Sequence, residues 1–478
     1  MKKVAIIGSG ISGLSAAYEL KKKMEEGIDI DYVLLEASDS LGGVIVTEKV
    51  DGFLIEGGPD SFVSTKPQTI ELANELGIGD ELLNSSEENK GTFILSGGKA
   101  HKLPEGIMTM VPTKIEPFLK TKLISWPGKL RAAMDLVIPP KRNGEEESLA
   151  QFVKRRLGTE ILDKIAEPLV AGIHASDPDR MSLKSTFPQF IKMEQDHGSL
   201  IKGSLALMKK AEEARAKAQS GSAQRPKRTF FMSFAGGMQE LTDTLASELD
   251  REKLLTNRKV LKITYDEKKS CYEMSLDRQE SIFADAVIIA VPAHAAAYMV
   301  AEVDRTLAEK LKEIPYVDSA TISLGFKNES LNGRPLTGFG LIIPLAEKRK
   351  LMAATWCSNK WAYRAPQGSF LVRGFVGGAK NQEYVNLDDE SLLELVQKEL
   401  ADLIGITGEP QVARVFKWRK GLAQYTIGHA ERIAMIENRV ASHPGLFLAG
   451  SAYKGVGISD CIKIGQEAAK TACASLAK

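Results

Sequence analysis

Three glycines near the N-terminus constrain this chain more than any other feature. A short apolar run precedes them and an Ala- and Leu-rich segment follows them. Strand, glycine loop and helix in this order are typical of the first βα unit of a dinucleotide-binding domain. The pattern assigns a tight turn to the first glycine, close approach of a pyrophosphate to the second, and close packing of helix on strand to the third. The loop reads Gly8-Ser9-Gly10-Ile11-Ser12-Gly13.

An acidic residue stands where such a domain needs one. The next apolar strand ends in Glu36, about 20 residues beyond the glycine loop. A carboxylate in this position can accept a hydrogen bond from a ribose hydroxyl. A glycine-rich turn in an ordinary βαβ unit would leave Glu36 unexplained, so the combined pattern predicts dinucleotide binding.

The residues after Glu36 indicate which dinucleotide is bound. Gly42 and Gly43 follow the acid, which is similar to the extended FAD signature of the amine-oxidase-like flavoproteins. That family usually has Arg or Lys directly after the two glycines, whereas this chain has Val44. A side-chain cation beside the pyrophosphate is therefore missing here or supplied by another segment. An ordinary second turn at the two glycines is the alternative.

Two further segments extend the predicted cofactor site. The stretch from Glu56 to Phe62 combines flexible glycines with a fixed proline, which permits close backbone approach to a ligand. Near the C-terminus, an apolar strand leads through a loop into an Ala-rich helix, with Ser459 or Asp460 as its predicted cap. Backbone N–H groups near Gly457 and Ile458 are predicted to stabilise the negative charge of a reduced flavin ring. Simple capping of this helix is the alternative.

These patterns predict an α/β fold with a Rossmann-like FAD-binding domain built from discontinuous segments. A mixed-sheet substrate-binding domain and an inserted helical domain occupy the intervening chain, because alternating strands and helical stretches separate the cofactor segments. The predicted boundaries are 1–62, 228–295 and 440–478 for the FAD-binding domain, 95–227 for the helical insertion, and 63–94 with 296–439 for the substrate-binding domain.

Charge and motif content exclude several other classes of protein. Lys and Arg total 63 against 62 Asp and Glu, which leaves no global field for nucleic acid. The four cysteines form no CxxC pair and the histidines no HExxH pattern, so no metal site is predicted. The N-terminal apolar run is too short for a signal peptide, and no apolar stretch is long enough to span a membrane. A cytoplasmic location is therefore predicted.

Two stretches of the predicted insertion are rich in Lys and Arg. Between Lys99 and Arg142, basic residues outnumber acidic ones and alternate with apolar residues. Such a surface suits an anionic ligand or the inner face of the cell membrane as a peripheral contact, and a solvated helical surface is the alternative. Residues 209–228 lack apolar periodicity and are predicted to form a connecting loop.

The chain resembles the coproporphyrinogen III oxidases of Gram-positive bacteria, long called protoporphyrinogen oxidases. The resemblance covers nearly the full length and is most specific at residues 56–62, 167–175, 185–190 and 455–461. It implies an FAD enzyme of haem biosynthesis that removes six hydrogens from coproporphyrinogen III in three rounds. Molecular oxygen would reoxidise the flavin each time and leave as hydrogen peroxide. The flavin carries this chemistry, and no catalytic side chain is assigned.

The resemblance also implies contact residues by position. Lys66 and Ile173 would face the substrate, with a solvated lysine and a packed core isoleucine as the alternatives. Val260 would lie by the adenine, and Trp418 with residues 456–458 by the isoalloxazine ring. The implied FAD contacts are Gly8, Ser9, Gly10, Ile11, Ser12, Gly13, Glu36, Ala37, Gly43, Val44, Gly58, Pro59, Asp60, Ser61, Val260, Trp418, Val456, Gly457 and Ile458.

Three functions stay open from the sequence. The first is the porphyrinogen oxidase, whose anionic substrate carries four propionates as coproporphyrinogen or two as protoporphyrinogen IX. The second is another flavin amine oxidase, which would require an aromatic cage. The third is a non-catalytic relative that binds a partner protein, and the intact glycine loop and Glu36 argue against it.

Overall fold

A five-stranded parallel sheet forms the centre of the half of the molecule that contains the glycine loop 8–13. The computed structural model describes residues 1–108, 110–112, 114–142, 144–219 and 228–477. All neighbouring strands of this sheet run parallel, although they come from three separate parts of the chain. In spatial order the strands are Leu254–Leu255, Ile30–Leu35, Lys2–Ile7, Ala286–Ile289 and Leu446–Leu448.

The parallel sheet is buried on both faces, as its apolar strands require. Side chains alternate between the faces, so Val4 and Ile6 enter one core while Ala5 and Ile7 enter the other. Helices Ile11–Glu25 and Ile458–Leu476 cover the first face and pack closely. A side chain at Gly465 would overlap the carbonyl oxygen of Ser12, so glycine permits this contact.

A seven-stranded mixed sheet lies beside this parallel sheet and its helices. Its strands pair antiparallel except for one parallel pair, Gly340–Ile342 with Thr92–Ser96. Apolar residues of one face pack against helix Asp389–Ile404. In spatial order the strands are Val412–Ala423, Tyr316–Lys327, Ser369–Gly377, Ala353–Trp356, Gly340–Ile342, Thr92–Ser96 and Lys99–Lys102.

Smaller sheets connect these two halves and flank them. Most are antiparallel hairpins or three-stranded layers. Their strands are Phe62–Val63, Phe231–Phe234 and Leu82–Asn84; Val260–Asp266, Cys271–Leu276 and Ser281–Ala284; Thr47–Val50 and Phe53–Glu56; and Ile107–Met108 and Val111–Pro112.

The helices form two groups. Those that pack around the sheets are Ile11–Glu25, Gln68–Glu75, Gln239–Ser247, Ala293–Met299, Arg305–Lys312, Cys357–Lys360, Asp389–Ile404, His429–Ala441 and Ile458–Leu476. Those of the helical region have a core of their own. They are Ile115–Lys120, Trp126–Ala133, Leu149–Arg156, Thr159–Ile161, the π-helical turn Leu162–Ala166, Glu167–His174, Leu183–Thr186, Pro188–His197 and Leu200–Gln219.

The predicted fold class is confirmed, and the prediction for one connecting segment is wrong. The chain has the predicted α/β character, with a discontinuous parallel sheet, a mixed sheet and inserted helices. Residues 209–219 belong to helix Leu200–Gln219 instead of a loop, because Ala, Lys and Glu favour helix even without an apolar stripe. Residues 220–227 lie outside the described part of the chain.

The structure also bears on a membrane-spanning role. Within the described residues, no helix has both the length and the apolar character that crossing a bilayer requires.

Candidate functional site

The three glycines of the N-terminal loop have distinct surroundings. Gly8 has a φ of +101°, and a Cβ there would lie 2.7 Å from Cγ1 of Val291. A Cβ at Gly13 would overlap the carbonyl oxygen of Gly8, so the helix lies directly against the turn. At Gly10, by contrast, a Cβ would meet nothing within 4 Å. The loop therefore leaves open space at the position predicted to receive a pyrophosphate.

The N-terminus of the helix that follows offers a favourable electrostatic environment for an anion. Gly10 is its N-cap, no side chain accepts a hydrogen bond there, and the first turn contains no acidic residue. The positive end of the helix dipole is thus left uncompensated by the helix's own side chains. These residues fit the phosphates of a dinucleotide.

Glu36 lies beside the loop as an ionised carboxylate. One oxygen accepts hydrogen bonds from Ser9 N and Oγ at 2.8 and 2.6 Å, and the other accepts from Ser38 N and Oγ at 2.9 and 2.8 Å. Burial acts to raise the pKa of Glu36, but these hydrogen bonds outweigh it and the pKa is lowered. The main chain of Arg258 donates to Glu36 O at 2.8 Å, which brings the segment leading to Val260 alongside.

Two other glycine segments meet this loop. Gly42 N donates to the carbonyl oxygen of Ser9 at 3.0 Å, and a Cβ at Gly43 would lie 3.0 Å from Cα of Gly10. A Cβ at Gly58 would overlap the carbonyl oxygen of Val44. The three predicted cofactor segments of the N-terminal region therefore converge on one place.

The carbonyl oxygen of Gly57 joins this place to the seven-stranded sheet. It accepts hydrogen bonds from Trp418 Nε1 at 2.9 Å, Thr321 Oγ1 at 2.9 Å and Arg373 Nη2 at 3.0 Å. Arg373 also donates to the carbonyl oxygen of Gly58. The predicted Trp418 and the predicted stretch 58–61 are thereby brought together, although the chain separates them widely.

Asp60 is paired within the protein. Its carboxylate accepts from Lys360 Nζ at 2.9 Å, from Trp361 Nε1 at 3.3 Å and from Ser61 Oγ at 2.7 Å. Burial acts to raise the pKa of Asp60, but the charges of Lys360 and Arg373 outweigh it and hold the pKa below its usual range. Asp60 is thus an ionised anchor for the turn that carries Pro59.

The C-terminal helix contacts the predicted substrate residue Lys66. Lys66 Nζ lies 2.7 and 2.6 Å from the two carboxylate oxygens of Asp460, and Ser459 Oγ lies 2.6 Å from Thr69 Oγ1. The predicted cap is wrong, because the helix begins at Ile458 and Gly457 is an N-cap without a side-chain hydrogen bond. Ser459 and Asp460 instead anchor the segment 66–69 from within the first turn.

A tyrosine fixes the loop that precedes this helix. Tyr425 Oη donates to the carbonyl oxygen of Ser451 at 2.8 Å and accepts from Gly455 N at 2.8 Å. Both ends of the loop are thus held, while Val456 and Gly457 at its tip are exposed. The predicted residues Val456, Gly457 and Ile458 are therefore presented from a fixed turn.

Helix Glu167–His174 lies within electrostatic reach of Lys66. Burial, with a smaller contribution from the charge of Lys66, lowers the pKa of His174 to about 4, so this imidazole is neutral at physiological pH. The predicted residue Ile173 precedes it in the same helix, and the side chain of Ile173 lies outside what the structure describes. Lys66 and this helix therefore border the same region.

Glu167 predicts an unusual pH dependence of stability. Burial raises its pKa to about 7, Oε1 has no hydrogen-bond partner, and Oε2 accepts only a 3.4 Å bond from Leu345 N. The native state favours the protonated form of Glu167. The contribution of this group to the free energy of unfolding is therefore complete below the usual pKa of 4.5 and is lost as the pH rises to about 7. We expect Glu167→Gln to be more stable than wild type by about 3 kcal/mol at alkaline pH, with little difference in acid.

Thermal unfolding of both proteins on either side of neutrality measures this effect. The exposed Glu116→Gln is the matched control and should follow the wild-type pH profile. Parallel profiles for wild type and Glu167→Gln would show that Glu167 titrates normally.

Sequence patterns missed two residues at this site. Arg373 and Thr321 both donate to Gly57 O, yet each lies inside a strand of the seven-stranded sheet and belongs to none of the motifs described above. The available signal was a single charged residue inside an otherwise apolar strand, Ser369–Gly377. A charge in such a position is costly unless it has a partner or a function.

Comparison with known proteins places the chain among characterised sequences. The family described as "Flavin containing amine oxidoreductase" matches residues 11–473. The coproporphyrinogen III oxidase of Bacillus subtilis (strain 168) is 37% identical over 476 residues, or 98% of each chain. The protein of that name from Staphylococcus aureus is 31% identical, covering 99% of this chain and 100% of the relative.

A solved structure agrees over the same length. It comes from Exiguobacterium sp. 255-15 and is provisionally assigned as a protoporphyrinogen oxidase. The two structures superpose with a TM-score of 0.86 at 31% identity, covering 100% of this chain and 99% of the other. The similarity therefore includes every segment of the candidate site.

Proposed function

Since the chain belongs to the flavin-containing amine oxidoreductase family, and within it to the coproporphyrinogen III oxidase group, we propose that it oxidises coproporphyrinogen III to coproporphyrin III in haem biosynthesis. Two predictions from the sequence are confirmed by this membership: the protein is an oxidoreductase, and FAD is its cofactor. The observation that carries the proposal is the full-length similarity to relatives of that name.

The chain's own side chains bind and orient the cofactor in this proposal. FAD supplies two-electron redox chemistry when bound. The open face at Gly10 and the uncapped helix receive the pyrophosphate, and Glu36 accepts a hydrogen bond from a ribose hydroxyl. The remaining predicted contacts complete the site as Ser9, Ile11, Ser12, Gly13, Ala37, Gly43, Val44, Gly58, Pro59, Asp60, Ser61, Val260, Trp418, Val456, Gly457 and Ile458.

The proposed reaction balances in three rounds. Conversion of the porphyrinogen to the porphyrin removes six hydrogen atoms, and each flavin accepts two electrons. In each round one O2 takes up two electrons and two protons and leaves as H2O2. No side chain is assigned to acid–base chemistry.

Lys66 supports an acidic substrate. Its side chain is 52% exposed and its ammonium is held at the start of the C-terminal helix by Asp460, so a propionate can approach Lys66 from solvent. Ile173 enters the proposal as an apolar contact on helix Glu167–His174. Coproporphyrinogen carries four propionates, whereas protoporphyrinogen IX carries two. We propose that the tetracarboxylate is preferred because it offers more anionic groups to the positive charge of Lys66.

Initial rates with the two porphyrinogens test this preference. Each is supplied separately to the purified holoenzyme, and porphyrin fluorescence and O2 consumption are recorded together. We expect faster oxidation of coproporphyrinogen III, with about three O2 consumed per porphyrin, as the electron count requires. Faster oxidation of protoporphyrinogen IX would favour the alternative function of a protoporphyrinogen IX oxidase, which the assignment of the Exiguobacterium structure also raises.

The helical region adds a proposed peripheral membrane contact. Trp126, Leu130 and Met134 recur every fourth residue along helix Trp126–Ala133 and the turn after it, and all three are exposed. Val137, 78% exposed, continues this apolar face. Clustered exposed apolar side chains with nearby Lys and Arg suit the boundary of an anionic bilayer.

Replacement of Leu130 tests the membrane contact. We expect Leu130→Glu to bind vesicles containing anionic lipid about tenfold more weakly than wild type, because burial of a leucine side chain is lost and a negative charge is added. Met435→Glu, on an exposed position of helix His429–Ala441, is the matched control and should bind like wild type. Equal co-sedimentation of all three proteins would contradict the contact.

A further inference from the structure

A buried guanidinium beside the cofactor site has no carboxylate partner. Arg373 is 3% exposed in the middle of strand Ser369–Gly377. Its Nη2 donates to the carbonyl oxygens of Gly57 and Gly58, and its Nε has no hydrogen-bond partner. Across the part of the chain that the structure describes, Arg373 forms no ion pair within 4.0 Å.

The neighbouring carboxylates already have cations of their own. Asp60 pairs with Lys360 at 2.9 Å, and Glu56 lies 3.6 Å from Arg364. Both carboxylates lie within electrostatic range of Arg373, whose charge acts to lower the pKa of each against the effect of burial, although the pKa of Glu56 stays raised. The half-buried carboxylate of Glu240 also acts on Arg364. Lys360 and Arg364 thus each have a carboxylate close by, whereas the carboxylates near Arg373 act on it only at longer range.

A buried cation without an anionic partner close by is expensive for the folded chain. Its removal from water costs several kcal/mol unless an opposite charge or a set of hydrogen bonds replaces the lost hydration. Two carbonyl oxygens and the ring of Phe375, whose centroid lies 5.0 Å from Cζ, satisfy only part of the guanidinium, because it carries five N–H donors. A ligand that brings negative charge to this place would supply the missing partner.

The location of Arg373 indicates which ligand this is. The carbonyl groups it binds belong to the turn that lies against Val44 and accepts a hydrogen bond from the indole of Trp418, a residue that the resemblance assigns to the isoalloxazine ring of FAD. The flavin ring is neutral when oxidised and gains negative charge around N1 and the C2 carbonyl when reduced. A fixed cation here interacts more strongly with the reduced state than with the oxidised one.

We propose that Arg373 stabilises the negative charge of the reduced flavin and thereby raises its reduction potential. This inference rests on the FAD site of the proposed function but not on the choice of porphyrinogen. It is separate from the prediction that backbone N–H groups near Gly457 and Ile458 stabilise the reduced flavin, where the nearby Asp460 carboxylate is paired with Lys66.

The reduction potential of the bound flavin tests this role without any porphyrinogen. Three variants of the holoenzyme are compared with wild type by dye-coupled spectroscopic reduction: Arg373→Met, Arg373→Gln and Arg373→Lys. Methionine removes the charge at similar length. Glutamine also removes it but keeps an N–H donor for Gly57 or Gly58, so it serves if the methionine variant does not fold. Lysine keeps the charge.

Loss of the charge has a defined expected effect. In the two neutral variants, affinity for reduced relative to oxidised FAD should fall about tenfold, which makes the potential about 30 mV more negative. The lysine variant should stay near wild type. Unchanged potentials in the neutral variants would overturn the proposal. Unchanged potentials combined with a raised KM for the porphyrinogen would assign Arg373 to a substrate carboxylate instead and overturn it equally.

Discussion

Replacement of Gly10 by alanine is expected to leave the chain folded while FAD is lost. The residue has a φ of −62° and a ψ of 172°, a conformation that alanine adopts freely, and its Cβ would meet no protein atom within 4 Å. The free energy of unfolding of the FAD-free chain should therefore stay within about 1 kcal/mol of wild type. The same methyl group would occupy the approach of the pyrophosphate, and loss of those charge-assisted hydrogen bonds should weaken FAD binding about 100-fold or more.

Gly13→Ala is the matched comparison in the same loop. Its methyl group would overlap the carbonyl oxygen of Gly8, so we expect both FAD binding and folding to suffer, with the FAD-free chain destabilised by about 3 kcal/mol. FAD titration and thermal unfolding of the FAD-free proteins separate the two effects. Wild-type FAD affinity in Gly10→Ala would contradict the assignment of this loop to the pyrophosphate.

The second large effect is expected in the helical region, at the buried ion pair of Asp135 and Arg156. Both side chains are fully buried, and Arg156 Nε donates to Asp135 Oδ1 at 2.5 Å. The other carboxylate oxygen accepts from Ser199 Oγ at 2.6 Å and Ile201 N at 2.9 Å, while Arg156 Nη2 donates to Gly198 O at 2.8 Å. The pair therefore links the segment that carries the exposed residues Met134 and Val137 to the long helix Leu200–Gln219.

Asp135→Leu should destabilise this region by about 3–5 kcal/mol, because the buried guanidinium of Arg156 keeps only the more distant carboxylate of Glu194, at 3.4 Å, and Ser199 and Ile201 lose their acceptor. Native-state hydrogen exchange in helix Leu149–Arg156 measures the local free energy of opening. Glu116→Ala, which removes an exposed ion pair with Lys120, should change it by less than about 1 kcal/mol. The double variant Asp135→Leu/Arg156→Met should recover much of the lost free energy of opening. Equal exchange in Asp135→Leu and wild type would show that this ion pair does not stabilise the region.

Features that depend on local backbone geometry were predictable from sequence. The positive φ of Gly8 and the close contact at Gly13 follow from a turn between strand and helix, which neighbouring residues specify. Glu36 was predictable for the same reason, since it directly follows the adjacent parallel strand Ile30–Leu35. The cap of the C-terminal helix was misplaced by a few residues because several small polar residues compete at that turn.

Features that depend on distant segments were not predictable in this way. Lys66 and Asp460 are 394 residues apart in sequence, and Arg373 and Gly57 are 316 apart. No periodicity or spacing relates such partners, because the topology of the two sheets brings them together. The helix over residues 209–219 was missed because a search for an apolar stripe overlooks a helix with strong intrinsic propensity. The domain boundaries and the individual FAD contacts remain predictions.

Anaerobic titration of the holoenzyme with coproporphyrinogen III tests the central claim most directly. Without O2, electrons from the substrate can only accumulate on the flavin, so loss of its visible absorption and growth of porphyrin fluorescence report the two halves of one reaction. The account predicts about three flavins reduced for each coproporphyrin III formed, since six electrons are passed on in pairs. Porphyrin formation without bleaching of the flavin, or a flavin that stays oxidised in the presence of the porphyrinogen, would contradict it.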